Sequence, residues 1–399
     1  MRSMVLPDSP MRLMPWSPLH PSAGNMPTVA VISTFPPTHC GLATFASALA
    51  NGMSAVGARE VGIVDVSEGD IHIRPPSVVA HLVQGSSRSR IEAARIINGY
   101  DFLLLQHEFG IFGGDDGSEI LDLLDDVHVP IVVTLHTVPL RPSGGQRRVL
   151  EQLARQAHLL VAMTQVARDR FISLYEVDPA KVVVIPHGAT LLPVSSVPPV
   201  EPFTFLTWGL LGPGKGVEWM IDAMAMVPEL STRIRYIVAG QTHPKILAND
   251  GDGYRDMLKR RSRLLGVEGI IEFDDTYRSL DSLLELINSV SCVVLPYDSV
   301  DQITSGVLVD ALSARRPVIA TAFPHAEELL AGEAGIVVPH RDPVSLASAI
   351  RSVVTEESRL DSMFDATADI ARQHRWTVVA SKYLEYGSQL VRSGSTVAS

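Results

Sequence analysis

Residues 203–226 read FTFLTWGLLGPGKGVEWMIDAMAM. A β-rich run, Phe203–Thr207, enters a loop holding Gly209, Gly212, Gly214 and Gly216, and a helical pattern follows from Val217 to about Met226. Strand, glycine turn and helix in this order suit an anion, because glycines let the backbone approach and the helix N-terminus points N–H groups at it. The loop also fits the triphosphate pattern G-x-x-x-x-G-K-[ST] up to its last letter. There Gly216 offers no hydroxyl for Mg²⁺, and Pro213 removes an N–H from the cradle. The later VVLPYD, residues 293–298, places Pro296 and Tyr297 before Asp298 in what would be the metal-binding strand. An ATPase or GTPase is disfavoured. Taken alone, the loop leaves two readings: a diphosphate site with Lys215 as a point charge, or a glycine turn with a surface lysine.

The first half opens in the same way. Thr28–Ser33 is β-rich, Phe35-Pro-Pro-Thr-His-Cys-Gly41 interrupts it, and a helical pattern runs from Leu42 to Met53. Short apolar runs recur at Val61–Val66, Phe102–Leu105, Ile131–Leu135, Leu159–Met163 and Val182–Ile185, with helical patterns such as 117–124 and 146–157 between them. Residues 191–202, LLPVSSVPPVEP, form a Pro- and Ser-rich linker. Beyond it, strands are expected at 235–239, 270–273, 292–295, 317–320 and 335–338. Alternating strands and helices predict parallel β-α-β units. The expected class is therefore α/β, with two facing Rossmann-like doubly wound parallel-sheet domains and a cleft between them. Their expected bounds are 27–190 and 203–375, after a disordered tail at 1–26. A final helix, about Val378 to Val391 within 376–399, packs on either domain. Ligands belong at the carboxyl ends of the strands.

Composition narrows the function. The 399 residues are 46% apolar and 19% charged, a globular balance. A net charge of −11 argues against a general nucleic-acid binder but not against a local basic cleft. The two cysteines, Cys40 and Cys292, lie far apart and have no metal-ligand spacing. Reduced thiols and a cytoplasmic location are the simpler expectation. No apolar run approaches the ~18–20 residues that span a bilayer. The Pro- and Met-rich N-terminus lacks the apolar core of a secretory signal, and Met26 is a candidate start. Asp250-Gly-Asp252 imitates a metal-binding D-x-D, but it precedes a helix starting near Tyr254 and is expected to cap it. Arg261 stands where a calcium loop would need Glu. No metal is expected.

A second anion-facing segment lies at 297–310. Thr304-Ser-Gly306 starts a capped helix whose N–H groups suit a phosphate. Asp310, one and a half turns in, has a carboxylate for ribose hydroxyls; taken alone it reads as a charge favourable to the helix dipole.

Together, VISTFPPTHCGLATF, LLLQHEFGIFGG, VTLHTV, VIPHGA, WGLLGPGKG, VAGQTHP, LPYDSVDQITSGVLVDALSARRPVIAT and FPHAEELL resemble, in order and spacing, a retaining glycosyltransferase of family 4 with the GT-B fold. The resemblance covers nearly all of residues 28–392. It implies a nucleotide-diphospho-sugar held by the C-terminal domain, GDP-mannose or UDP-glucose, and a carbohydrate or other hydroxyl-bearing acceptor on the N-terminal domain. Lys215 matches the lysine on the donor diphosphate, within the turn made by Gly209 and Gly212. Leu210 occupies the place of the family's arginine. Of the acidic pair E-x7-E, the second member is Asp310, on the ribose, and the first is Gln302, which hydrogen-bonds a sugar hydroxyl. Ser305 and Gly306 offer backbone N–H groups to the phosphates, and Gly41 lets the N-terminal loop close over them. His136 stands beside the transferred sugar, so His136, Lys215 and Asp310 form the catalytic set. Glu328 lies near the donor, and the loop around Tyr277 meets the base. His107 and Glu108 either bind acceptor hydroxyls or form a structural network, while His187 braces backbone. The implied reaction is metal-independent hexosyl transfer, mannosyl or glucosyl, with retention and with the leaving phosphate as base. No cofactor beyond the substrate is implied, and peripheral membrane contact stays open. The alternative is a non-catalytic sugar-nucleotide-binding protein, permitted by Leu210, Gln302 and Asp310. An NAD-linked enzyme is disfavoured because no G-x-G-x-x-G follows the first strand.

Overall fold

The computed structural model describes residues 26–38, 40–67, 75–190, 201–276 and 278–397. The expectations for the tail before Met26, for most of the linker and for Tyr277 fall outside the described residues.

The chain forms two parallel sheets. The first contains β1 (Thr28–Ser33), β2 (Glu60–Ser67), β3 (Val78–Val83), β4 (Phe102–His107), β5 (Ile131–Leu135), β6 (Leu159–Ala162) and β7 (Val182–Val184), in the order β3-β2-β1-β4-β5-β6-β7. The second contains β8 (Phe203–Trp208), β9 (Ile234–Ala239), β10 (Ile271–Asp274), β11 (Cys292–Leu295), β12 (Val318–Thr321) and β13 (Gly335–Val338), in the order β10-β9-β8-β11-β12-β13. Helices cover both faces of each sheet, which is why the central strands are continuous apolar runs rather than alternating ones. All six residues of β1 and of β4 are buried. β3 is the strand that the apolar runs do not disclose. It lies at the sheet edge, and its VVAHLV alternates between buried and half-buried positions.

The helix Trp376–Val397 lies on the first sheet, although it follows the second in sequence. Val379, Ala380, Tyr383 and Leu384 join the core built by Val29, Val31 and Phe102. The Tyr383 hydroxyl meets Thr134 Oγ1 at 3.0 Å. The crossing chain is tied by the Ala189 N–H, which donates to the His374 carbonyl at 2.7 Å.

In both sheets the strand order reverses beside the first strand, between β1 and β4 and between β8 and β11. Loops leaving such a switch point diverge to opposite faces and open a crevice at the carboxyl ends. The two halves of the site are built there.

Candidate functional site

The glycine loop leaves β8 at its carboxyl end and is pinned by backbone bonds. Leu211 N–H donates to the Gln241 carbonyl at 2.8 Å, Lys215 N–H to Gly212 at 3.1 Å, and Asp298 N–H to Gly214 at 2.9 Å. Gly216 caps the helix Val217–Ala225 with φ 66°, in the left-handed region. A Cβ there would lie 1.7 Å from the Pro296 carbonyl oxygen. Both facts forbid the Ser or Thr of a triphosphate loop, so this glycine is a steric requirement of the turn. The Asp298 carboxylate accepts from Trp219 Nε1 at 2.8 Å, and Asp252 accepts from Thr242 at 2.5 Å, behind Leu211. Asp252 therefore braces the glycine loop, and Asp250 is exposed at the end of the helix Pro244–Asp250. Among the described residues, no group of three or more His, Cys, Asp or Glu is placed to hold a metal ion.

Lys215 is half-buried, and its ammonium sits 4.5 Å from the centroid of the Tyr297 ring. Burial lowers its pKa from the ordinary lysine value. Among the described residues it forms no salt bridge, which leaves its charge available to a ligand anion.

Beyond β11 stands the helix Gly306–Ser313. The Ser305 side chain caps it by accepting from Leu308 N–H at 3.2 Å. Ser305's own N–H donates to His325 Nδ1 at 2.8 Å, so that amide is already engaged and the first turn presents Gly306 instead. Burial, with the neighbouring His187 and His374, pushes His325 down to about 3, which keeps the accepting ring neutral. Gln302 Nε2 donates to the Thr304 carbonyl at 3.3 Å, which folds the segment on itself. Asp310 is the fifth residue of the helix, and burial pushes its carboxyl up to about 7.

Glu328 does something other than face a donor. Its two oxygens accept from the N–H groups of Gln165 and Val166, at 2.8 and 2.9 Å, at the start of the first-domain helix Gln165–Leu174. The unsatisfied amides of a helix N-terminus attract a carboxylate, and here they join the two domains. Two further ties cross beside it. Arg170 pairs with Asp301, and Thr164 Oγ1 donates to the Ile303 carbonyl at 3.1 Å.

The first domain presents a neutral wall. His136, just after β5, bonds through Nε2 to Gln106 Oε1 at 2.8 Å. The Phe45 ring, from the helix Gly41–Ala55, lies edge-on to His136 at 4.8 Å and to His187 at 4.9 Å. His187 Nε2 is 3.1 Å from where a Cβ on Gly306 would stand, so a side chain there would press on the imidazole ring. Burial pushes His136 and His107 down to about 3 and His187 to about 4, so all three are neutral near pH 7. His107 is fully enclosed between Phe109 and Phe112 and does not reach the cleft surface. Glu108 accepts from Thr137 Oγ1 at 2.5 Å and from Phe109 N–H at 3.0 Å, which is a bracing role. Gly41 begins its helix behind the Cys40 cap, whose sulfur accepts from Ala43 N–H at 3.4 Å.

Lys215, Tyr297, Ser305 with Gly306, His187, Phe45 and His136 thus form one contiguous line across the cleft. Tyr297 and Phe45 are members that sequence reasoning passed over, as it did His325, which holds the Ser305 amide. The signal for Phe45 was its place four residues after Gly41, on the helix face that meets the sheet. Tyr297 had been read only as an interruption of a strand, and nothing in FPHAEELL marked His325.

Two doubly wound domains thus bring a lysine, a capped helix start and neutral histidines to the carboxyl ends of their strands. Residues 202–356 match the family model for glycosyl transferases group 1, and residues 41–191 match the model for glycosyltransferase family 4. The chain belongs to this glycosyltransferase family. A D-inositol 3-phosphate glycosyltransferase of Kineococcus radiotolerans is 26% identical over 305 residues, which is 64% of this chain and 65% of the relative. A phosphatidyl-myo-inositol mannosyltransferase of Mycobacterium leprae is 26% identical over 279 residues, 67% of this chain and 69% of the relative. The match thus spans about 65% of the length of the first of these relatives. In three dimensions, Anabaena HepE, solved with UDP and glucose, aligns with a TM-score of 0.67 at 18% identity, covering 91% of this chain and 100% of HepE. Sucrose-phosphate synthase of Thermosynechococcus elongatus aligns with a TM-score of 0.72 at 15% identity, over 92% and 99%. These likenesses show the GT-B fold. No helix among the described residues is long and apolar enough to cross a membrane.

Proposed function

We propose that the chain transfers a hexosyl group from a nucleotide-diphospho-sugar to an acceptor hydroxyl, with retention at the anomeric carbon. One observation carries the reading: Lys215, with no carboxylate partner among the described residues, lies over the Tyr297 ring, whose buried hydroxyl adjoins Ser305, the N-cap of the helix Gly306–Ser313. A single lysine and a helix N-terminus supply the positive field that a departing diphosphate requires, without a metal as part of the proposal. In the step itself, the bond from the anomeric carbon to the phosphate oxygen breaks. The acceptor oxygen bonds to the same face of that carbon, and its proton passes to the departing phosphate oxygen. Asp310 receives the ribose hydroxyls, and neutral His136 lines the sugar's place. The likeness to a mannosyltransferase and to HepE, solved with UDP and glucose, keeps GDP-mannose and UDP-glucose as the donors under test. The reaction is assigned to the cytoplasm.

A thermal-shift screen of UDP-, GDP- and ADP-sugars tests this. A sugar nucleotide at 100 times its Kd adds roughly 2.7 kcal/mol of stability, a clear rise in Tm. No rise with any of them contradicts the proposal. Leu210, 38% exposed where the family resemblance expects a second cation, favours one other reading, a protein that binds sugar nucleotides without turnover. Labelled-sugar transfer to a product separates the two.

A further inference from the structure

We infer that Tyr297 is the positioning residue for the donor diphosphate, holding the Lys215 ammonium on its ring face where other sites would use an ion pair. The inference rests on the reading of Lys215 above and adds what aims it. The ammonium lies 4.5 Å from the ring centroid, inside the ~6 Å range over which a cation is drawn to an aromatic face.

The ring itself cannot drift. Tyr297 is 1% exposed and stacks on Phe323 at 5.4 Å with an interplanar angle of 28°. Its carbonyl accepts from Thr321 Oγ1 at 2.6 Å and from His340 Nδ1 at 2.8 Å. Its neighbours grip the glycine loop from the same strand end, Pro296 against Gly216 and Asp298 against Gly214 and Trp219. The nearby Asp298 carboxylate is occupied by Trp219 and Arg341, the latter at 3.3 Å, and makes no salt bridge to Lys215. The Tyr297 hydroxyl is buried beside Ser305. One rigid ring therefore spans the distance from the phosphate lysine to the cap of the helix whose N-terminus faces the same anion.

A ring face suits this task better than a carboxylate would. A carboxylate would neutralise the lysine and compete with the diphosphate for it. The ring restrains a flexible four-carbon stem and leaves the full charge for the ligand. The restraint matters more here because Leu210 supplies no second cation.

The test is a double-mutant cycle on the full chain, with calorimetric binding of UDP, GDP and ADP and of the corresponding monophosphates. Tyr297→Leu is expected to weaken the bound diphosphate by roughly 2- to 30-fold and to leave the monophosphate unchanged. Tyr297→Phe, which keeps the ring, stays within about twofold of wild type. In the Lys215→Ala background, Tyr297→Leu has no further effect on diphosphate affinity, because the interaction is already gone. Tyr297→Met replaces Leu if the leucine variant fails to fold, with the same expectation. A Tyr297→Leu loss that persists without Lys215, or a Phe variant as weak as the Leu variant, overturns the inference. If Lys215→Ala itself binds diphosphate like wild type, the reading of Lys215 fails, whatever Tyr297 does.

Discussion

The two walls of the cleft start from the same unit, a strand, a loop and a helix at a switch point, yet they carry opposite chemistry. The second-domain wall holds ionisable groups kept near function: Lys215 without a counter-ion among the described residues, and Asp310 with its carboxyl pushed up to about 7. The first-domain wall holds His136 and His187, which burial keeps neutral. The unpaired positive charge therefore enters from the second domain. Under the proposed function, the diphosphate sits against the second domain and the sugar and acceptor against the first. Enclosure by apolar neighbours such as Phe45 turns a histidine wall into a hydrogen-bonding surface instead of a cationic one.

The largest effect should come from breaking the charged wall at its centre. Lys215→Ala is expected to lower kcat/KM for the sugar nucleotide by about 10²–10³ with Tm nearly unchanged, as steady-state kinetics and thermal melts will show. Asp310→Asn should cost about 10- to 100-fold in donor affinity, the range for a hydrogen bond to a charged group. Its pH dependence sharpens the comparison. Ribose hydroxyls donate to the ionised carboxylate, so wild-type donor affinity rises as pH passes upward through about 7, and the Asn variant is flat there. The apo protein shows the reverse sign. A carboxyl whose folded pKa is raised stabilises the fold below its unfolded value near 3.8, and that contribution is lost as pH climbs through about 7. Melts of the two apo proteins should therefore coincide near pH 4 and favour Asp310→Asn at pH 8.

The smallest expected effect lies at the seam between the walls. Glu328→Gln removes a charge from the N-terminus of the helix Gln165–Leu174, where such a contact contributes about 0.3–1 kcal/mol. A two- to fivefold rise in donor KM, with kcat held, is the expected outcome. A loss as large as that of Lys215→Ala would make Glu328 a donor ligand and return it to the role the family resemblance implied.

The uneven legibility of the molecule has physical causes. The central strands of the second sheet, such as the fully buried CVVL of β11 and VIAT of β12, were visible because helices cover both faces, which favours apolar runs. β3 escaped because an edge strand tolerates His81 and alternation. The glycine loop was legible as an anion turn, but the reason for Gly216 was not. That reason is the Pro296 carbonyl, which sequence separation hides. Single-residue contacts were illegible wherever a partner came from the other domain or from a distant loop. Glu328 spends its carboxylate on Gln165 and Val166, and the Ser305 amide goes to His325. His107 matched an acceptor position by motif, and only the enclosing Phe109 and Phe112 reveal it as core.

The central claim is that the second-domain wall grips a diphosphate through Lys215. Calorimetry of wild type and Lys215→Ala with a nucleoside diphosphate and its monophosphate, on the base chosen by the thermal-shift screen, tests it most directly. Wild type should prefer the diphosphate by about 10- to 100-fold, and the variant should lose that preference while keeping its monophosphate affinity. An unchanged preference in Lys215→Ala would contradict the account.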